Sequence, residues 1–312
     1  MTKPDKNKTD WSNYWQGRAA GRTGEVFAGV GVETSAELAE FWAATFAGGS
    51  DAAVIDIACG AGSVLKHAAG AGYANLIGSD ISEDAIRAAA DAVPGLMGLV
   101  ASADALPLAD ASVDRAVSQF GFEYADRRRA AAEIARILRP GAGFTAVVHL
   151  KDGAIANECA RHLAGLDTID GSRFIPATRT LFAALFRMDR QPGPDAKASL
   201  DIALQAFTTA QAKLMPEVQR GGLAGHLHGG ARQLYERRQA YAEQDISGWL
   251  DGMAAEIAAY RGRMEGMIGA AINEGEASAI LATIDPSGNG VARRFGLGGS
   301  DAAWVLEARK PD

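Results

Sequence analysis

The stretch from Ala53 to Leu150 constrains the fold most, because short β-branched runs alternate there with alanine-rich segments. The runs are apolar nearly throughout, as in strands that are covered on both faces. A repeated strand–helix–strand pattern is typical of a parallel sheet with right-handed crossovers. We therefore predict a doubly wound α/β core. Its strands are Ala53–Ala58, Asn75–Ile81, Gly98–Ser102, Val113–Phe120 and Gly143–Leu150, with helices at 63–71, 83–92 and 126–138.

The pattern changes after Leu150, where about a hundred residues show helical periodicity and no strand, which is too long for a loop. We predict a helical cap inserted after strand five. A last long helix at 246–282 leads to two runs, Val291–Leu297 and Ala303–Arg309, that indicate an antiparallel hairpin and complete a mostly parallel seven-stranded sheet. The predicted organisation is N-terminal helices with a candidate lid (1–52), core (53–150), helical cap (151–250), and last helix with hairpin (251–312).

The charge of the chain limits its partners. With 31 basic and 38 acidic side chains, the formal net charge is −7, which argues against a nucleic-acid or anionic-membrane binder. No window reaches the roughly 18 apolar residues of a spanning helix, and the first ten residues are too polar for a secretory signal. The two cysteines, Cys59 and Cys159, form neither a disulfide framework nor a zinc-like spacing. We expect a cytoplasmic protein without a structural metal, nucleic-acid partner or stable membrane insertion.

The strongest local signal is the run Val54–Gly62, an apolar strand that carries an acid and enters a glycine turn before a helix. Gly60 and Gly62 allow a sharp turn and close approach of a ligand, and the following helix N-terminus offers unpaired N–H groups to an anion. Asp56 would repel a pyrophosphate and suits a cationic ammonium ligand better. Turns of this kind also occur without a ligand, so the turn alone leaves both interpretations open.

Two more acids follow at equal spacing. Asp80 lies 24 residues beyond Asp56 and Asp104 another 24 beyond Asp80, each near the carboxyl end of a predicted strand. That edge of an open α/β sheet is where ligands bind. Asp80 is placed to accept ribose hydroxyls, although alone it could be a helix N-cap, and Asp104 could bind an exocyclic amine.

These motifs resemble those of the class I S-adenosylmethionine-dependent methyltransferases, especially the small-molecule branch that includes the ubiquinone/menaquinone-type C-methyltransferases. The resemblance covers about 53–150 and, more loosely, the hairpin. It implies that Asp56–Gly62 holds the methionine moiety, Asp80 the ribose and Asp104-Ala105 the adenine; Ala58 replaces the first glycine of many members. The implied cofactor-binding residues are Asp56, Ala58, Cys59, Gly60, Gly62, Asp80, Ile81, Ala103, Asp104, Ala105, Gln119 and Phe120. Trp15 is a further candidate, because aromatic faces attract a sulfonium.

The resemblance implies methyl transfer from S-adenosylmethionine to a small-molecule acceptor, aromatic or lipid-like, by in-line displacement. Because the donor is already activated, a base is needed only if the acceptor must lose a proton. Candidate bases are His149, near the end of strand five, and Glu123 and Tyr124, after strand four. Alternatively, His149 is a structural histidine, and Glu123 and Tyr124 only begin the next helix.

Two further segments have open interpretations. His226 and His228 lie in the glycine-rich 220–230, which could be a loop that closes on a substrate or an ordinary flexible loop, and no further metal ligands are identifiable. Trp11 and Trp15 lie one helical turn apart and could cover a sulfonium or dock an N-terminal helix on the core.

Alternative functions remain. A nicotinamide-dependent oxidoreductase also has a glycine turn and a ribose-binding acid, but Leu65 stands where its fingerprint wants glycine or alanine. A non-catalytic nucleotide-binding module would keep the crevice without transfer. Nucleic-acid methylation fits the acidic balance less well.

Overall fold

The computed structural model describes residues 32–312, which divide into two compact units. Unit 1 holds the described residues up to Cys159 together with Gly266–Asp312, and unit 2 is Ala160–Glu265. The strands are β1 (Val54–Ile57), β2 (Leu76–Asp80), β3 (Met97–Val100), β4 (Val113–Gln119), β5 (Leu138–His149), β6 (Val291–Leu297) and β7 (Ser300–Arg309). The helices are α1 (Val32–Thr45), α2 (Ser63–Gly70), α3 (Glu83–Ala92), α4 (Arg127–Ile137), α5 (Ala154–Ser172), α6 (Phe174–Arg190), α7 (Pro194–Val218), α8 (Gly222–Glu236), α9 (Glu243–Ala270) and α10 (Glu274–Ile284).

Unit 1 is built on one seven-stranded sheet with the order β3-β2-β1-β4-β5-β7-β6. Strands β1 to β5 run parallel, β7 is antiparallel to β5, and β6 is antiparallel to β7. The predicted doubly wound, mostly parallel sheet and its terminal hairpin are confirmed. Buried apolar side chains from the strands, such as Ile55 and Val148, pack with those of α4 and α10, such as Ile134 and Ile280.

Strand β5 begins five residues earlier than the predicted Gly143, because helix α4 ends directly in extended chain. Leu138 pairs with Val113 and Gly143 with Arg115, so the register shifts between these two pairs. The irregularity absorbs Pro140 and Gly141, the latter in the left-handed region at φ +74°.

The single helix predicted over 246–282 is wrong, since the chain breaks between α9 and α10. Ile272 donates its N–H to the carbonyl oxygen of His149 and accepts from the N–H of Lys151, both at 2.9 Å, so its backbone pairs with the end of the sheet. Asn273 then caps α10 in a reciprocal capping box with Glu276. Sheet pairing and the cap together outweigh the continuous helical pattern.

Unit 2 is helical and lies at Ala160–Glu265, whereas the sequence places the insertion at 151–250. Two apolar clusters form its interior, one around Leu214 and Leu227 and the other around Phe182 and Leu250. The loop expected at 220–230 is wrong, because helix α8 runs through most of it. Within residues 32–312, no helix has the length and apolar character needed to cross a membrane.

Candidate functional site

The turn between β1 and α2 runs through left-handed backbone. Ala58, Gly60 and Gly62 have φ values of +58°, +52° and +75°. A side chain at Gly62 would place its Cβ 3.3 Å from that of Ala89, a tight contact, and the left-handed backbone also favours glycine there. Ala58 has no such freedom, and its left-handed conformation costs about 1–2 kcal/mol. The replacement of glycine by alanine therefore stores strain in this turn, which we call the glycine turn (Ala58–Gly62).

Cys59 helps to shape the glycine turn. Its N–H donates to the carbonyl oxygen of Ser79 at 2.9 Å, which ties the turn to β2. Gly78 leaves room for the thiol, since a Cβ there would lie 3.0 Å from Sγ. Burial, followed by the nearby carboxylates, raises the pKa of Cys59 well above its usual value, so the thiol stays protonated. We conclude that Cys59 is a packing residue of the turn.

Asp56 lies inside β1, only 1% exposed. Neither of its carboxylate oxygens has a hydrogen-bond partner among the described residues, and the same holds for the buried hydroxyl of Ser79 on the neighbouring strand. Burial raises the pKa of Asp56 well above its ordinary value, and repulsion by Asp80 raises it further. A buried, unpaired carboxylate is costly, and such groups cluster at functional sites.

Asp80 ends β2 beside the glycine turn. Its Oδ2 accepts from the N–H of Gly60 at 3.0 Å and its Oδ1 from that of Ser82 at 2.9 Å. Burial raises the pKa of Asp80, and the backbone hydrogen bonds act in the opposite direction. The helix-cap alternative for Asp80 does not hold, because Ser82 caps α3 by accepting from the N–H of Ala85. Asp80 instead fixes the turn to the end of the second strand.

Asp104 lies four residues after β3 and is only partly buried. It accepts from the hydroxyl of Ser102 at 2.6 Å, and Arg129 lies 4.0 Å from its other oxygen. Ala103 is buried beside it, whereas Ala105 is exposed and Ile81, after β2, is partly buried. Because β1, β2 and β3 are adjacent and parallel, their carboxyl ends bring Asp56, Asp80 and Asp104 to one edge of the sheet.

The chain after β4 presses against the glycine turn. A Cβ on Gly121 would lie 2.5 Å from the Cβ of Ala58 and 3.0 Å from its carbonyl oxygen, so only glycine fits. Phe120 also takes a left-handed conformation, at φ +51°. Gln119 accepts from the indole N–H of the buried Trp42 in α1 at 2.5 Å. Sequence reasoning missed Trp42, for which the only signal was a large aromatic within an apolar helix.

The three candidate bases lie together. Nδ1 of His149, the last residue of β5, is 2.8 Å from Oε1 of Glu123, and the backbone N–H of His149 donates to the same oxygen at 3.2 Å. Both residues are 1% exposed. The imidazole packs against the rings of Phe120 and Tyr124, with centroids 4.6 and 5.7 Å away. Burial raises the pKa of the Tyr124 hydroxyl well above its ordinary value, so it remains protonated.

Other predicted positions fall elsewhere. Trp11 and Trp15 lie outside the described residues. His226 and His228 belong to α8 in unit 2, where Nε2 of His228 is 2.9 Å from the amide nitrogen of Gln211. In the part of the chain that the structure describes, no group of three or more His, Cys, Asp or Glu side chains could hold a metal ion.

A family model described as "Methyltransferase domain" matches residues 55–146, from β1 into β5. Residues 55–146 are thus similar to a methyltransferase domain. The match includes the glycine turn, Asp80, Asp104 and Glu123, covers less than a third of the chain, and ends before His149. The family implies an enzyme and S-adenosylmethionine as its cofactor.

Solved structures of methyltransferases are similar to parts of the chain. One, a complex of a methyltransferase with the Trm112 activator from Haloferax volcanii, is 30% identical over 36% of this chain and 52% of its own, with a TM-score of 0.35. An S-adenosylmethionine-dependent methyltransferase from Mesorhizobium loti is 26% identical over 36% and 52%, with a TM-score of 0.34. Another from Methanosarcina mazei is 32% identical over 33% and 54%, with a TM-score of 0.30.

The chain thus spans about half the length of these structures. No curated protein matches the chain significantly.

Proposed function

We propose that the chain transfers a methyl group from S-adenosylmethionine to a small molecule. The observation that carries this proposal is the carboxylate of Asp56, buried within the matched domain, unpartnered among the described residues, and next to Asp80. A cation is the partner that such a carboxylate lacks, and the cofactor bears both an ammonium and a sulfonium. A nicotinamide dinucleotide would bring a pyrophosphate to two acids, which disfavours the oxidoreductase alternative.

The residues of this edge fit the cofactor. The left-handed glycine turn brings backbone close to a ligand without an intervening side chain, and the N-terminus of α2 offers N–H groups to a carboxylate. The oxygens of Asp80 accept the backbone N–H groups of Gly60 and Ser82, and a carboxylate has further lone pairs for a ribose hydroxyl. When bound, the cofactor supplies an activated methyl group on its sulfonium. The protein's task is to orient the acceptor and exclude water.

The net charge and the free cysteines support two further parts of the proposal, the class of acceptor and the cellular compartment. The net charge of −7 disfavours polyanionic acceptors, so we propose a small molecule, aromatic or lipid-like, as in the small-molecule branch of the class I methyltransferases. Cys59 and Cys159 are free and buried, which supports a reducing compartment such as the cytoplasm.

Calorimetric titration of the full chain with S-adenosylhomocysteine tests the donor site. We expect Asp80→Ala to weaken binding at least about 100-fold, since it removes two backbone hydrogen bonds and the ribose acceptor together. Asp91→Ala, on the exposed end of α3, is the matched control and should bind like the wild type. Unchanged affinity of Asp80→Ala would contradict the proposal.

Two simpler measurements separate the alternatives. S-adenosylhomocysteine should raise the melting temperature, whereas a nicotinamide dinucleotide should not. Labelled donor incubated with a metabolite extract should yield a labelled small molecule; donor binding without any transfer would favour the non-catalytic module.

A further inference from the structure

We propose that His149 is the general base of this site, that Glu123 is its positioning residue, and that the acceptor therefore reacts through a phenolic or enolic hydroxyl. The inference rests on the proposed function and names its substrate class. It follows from the state of the two imidazole nitrogens, from the place of the ring in the sheet, and from the atoms left without partners.

The hydrogen bonds of Glu123 fix the tautomer of His149. Its Oε1 is 2.8 Å from Nδ1 and also accepts the backbone N–H of the same histidine. A carboxylate only accepts hydrogen bonds, so a carboxylate at Glu123 selects the tautomer with a hydrogen on Nδ1. The neutral imidazole then holds its free lone pair on Nε2, the form in which histidine accepts a proton.

Nε2 of His149 has no hydrogen-bond partner in the described part of the chain, although it is shielded from solvent. Most buried side-chain polar atoms have a hydrogen-bond partner, so an unpartnered Nε2 indicates a role beyond packing. The second oxygen of Glu123 is likewise buried and unpartnered among the described residues. A carboxylate–imidazole pair with one open nitrogen is therefore arranged to receive a hydrogen from a ligand.

The pair lies at the edge of the sheet that holds the donor residues. His149 ends β5, Glu123 follows β4, and both strands run parallel to β1. Phe120 packs on the imidazole, and the next residue, Gly121, is the one in contact distance of Ala58 in the glycine turn. The candidate base and the donor turn are thus linked through two consecutive residues.

His149 and Glu123 can take up the proton that the acceptor hydroxyl loses during methyl transfer. As the acceptor oxygen forms a bond to the methyl carbon, its O–H bond breaks and the proton moves to Nε2 of His149. The electron pair of the broken carbon–sulfur bond stays on sulfur, which becomes a neutral thioether. Glu123, as carboxylate, stabilises the imidazolium until it loses the proton to water. A neutral amine already has a free lone pair and does not need this base before attack.

The tautomer can be measured without donor or acceptor. Two-bond ¹H–¹⁵N spectra of the full chain, with His149 assigned by comparison with His149→Gln, should show hydrogen on Nδ1 and none on Nε2. Glu123→Ala should lose this preference, and Glu123→Gln should retain it, because the amide oxygen still accepts from Nδ1. Hydrogen on Nε2 in the wild type, or the same tautomer in Glu123→Ala, would overturn the assignment of Glu123.

Kinetics test the base and the acceptor class. With labelled donor and paired phenols and anilines, we expect methyl ethers from phenols. His149→Gln should lower kcat about 100-fold or more, the usual contribution of a general base, with S-adenosylhomocysteine affinity within about threefold of wild type. His226→Gln, on α8, is the matched control and should keep wild-type kcat. Circular dichroism and melting curves check that each variant folds.

The outcomes distinguish this inference from the proposed function. If the wild type fails to bind S-adenosylhomocysteine, the proposed function itself fails. If it binds the ligand but methylates only anilines, methylates carbon, or leaves the whole panel unmodified, the acceptor class is overturned alone. Full kcat in His149→Gln likewise overturns only the base. Should His149→Gln fail to fold, the tautomer and kcat of Glu123→Ala and Glu123→Gln decide.

Discussion

The sheet edge of unit 1 and the helical interior of unit 2 bury very different groups. Seven polar or charged residues are buried at the carboxyl end of β1, β2, β4 and β5 or just after these strands: Asp56, Ser79, Asp80, Ser82, Ser118, Glu123 and His149. Among the described residues of unit 2, only Ser172 and Thr178 belong to this class. Four of the seven, Asp56, Ser79, Glu123 and His149, have a buried side-chain atom without a hydrogen-bond partner among the described residues. Burying polar groups costs stability, so their concentration at one edge is consistent with a functional site there.

Unit 2 is stabilised in another way. Its clusters around Leu214 and Phe182 are apolar, and its ion pairs lie toward the surface, as where Arg261 contacts Asp167 and Asp170. Exposed pairs of this kind contribute little, about 0–1 kcal/mol each, so the apolar clusters carry most of the stability. The comparison teaches that substitutions in unit 2 should act on folding, whereas substitutions at the sheet edge should act on ligand binding.

The largest effect is expected from Leu214→Ala in unit 2. Leu214 is fully buried, and its truncation leaves a cavity that costs about 2–5 kcal/mol of unfolding free energy. Urea denaturation should show this loss, while calorimetry on the folded fraction should show unchanged S-adenosylhomocysteine affinity. A large fall in affinity would break the comparison, because a packing residue of unit 2 would then control the donor site.

A smaller, pH-dependent effect is expected from Asp56→Asn at the sheet edge. Because folding raises the pKa of Asp56, the folded protein binds a proton more tightly, and wild-type stability falls as pH rises from the ordinary carboxyl value through the raised one. The amide removes this loss and the repulsion with Asp80. We expect a gain in unfolding free energy at pH 8 that shrinks toward pH 4, together with weaker donor binding.

Asp114 is the matched contrast for this prediction. Its hydrogen bonds to Arg139 and to the N–H of Ala53 lower its pKa, so its contribution is present above the ordinary carboxyl value and lost as pH falls through the lowered one. Asp114 and Arg139 are partly exposed, so Asp114→Asn should lose at most about 1 kcal/mol at pH 8. Urea titrations at several pH values check both variants. A change in unfolding free energy of the same sign for Asp56→Asn and Asp114→Asn at pH 8 would contradict the role of burial at Asp56.

The smallest effect is expected from Ala58→Gly in the glycine turn. Relief of the left-handed strain, about 1–2 kcal/mol, is partly offset by the greater flexibility of glycine in the unfolded chain, about 0.5–1 kcal/mol. The net gain in unfolding free energy should be about 0.5–1 kcal/mol. Ala88→Gly, half-buried in the middle of α3, should instead lose about 1 kcal/mol. Destabilisation by both would show that the turn at Ala58 is unstrained.

The local sequence pattern was sufficient to predict most of the parallel strands of the core sheet. The alternation of apolar strands and amphipathic helices predicted β1 to β4 within about two residues at each end, and Gly60 and Gly62 predicted the turn between β1 and α2. The local sequence pattern gave the wrong secondary structure where contacts between residues distant in sequence determine it. Ile272 interrupts an otherwise helical sequence because its backbone pairs with the end of β5, and 220–230 is helical despite its glycines because Ala224 and Leu227 pack into the apolar cluster of unit 2.

The sequence by itself determined the order of the strands, the glycine turn and the spacing of the three acids Asp56, Asp80 and Asp104, since these depend on local periodicity and on residue type. Only the tertiary structure showed that Asp56 is buried and unpartnered among the described residues and that the backbone of Ala58 is left-handed. The hydrogen bond between Glu123 and His149 also became evident only there. Burial and the pairing of residues 26 positions apart depend on how strands β4 and β5 align, and no local pattern encodes that alignment.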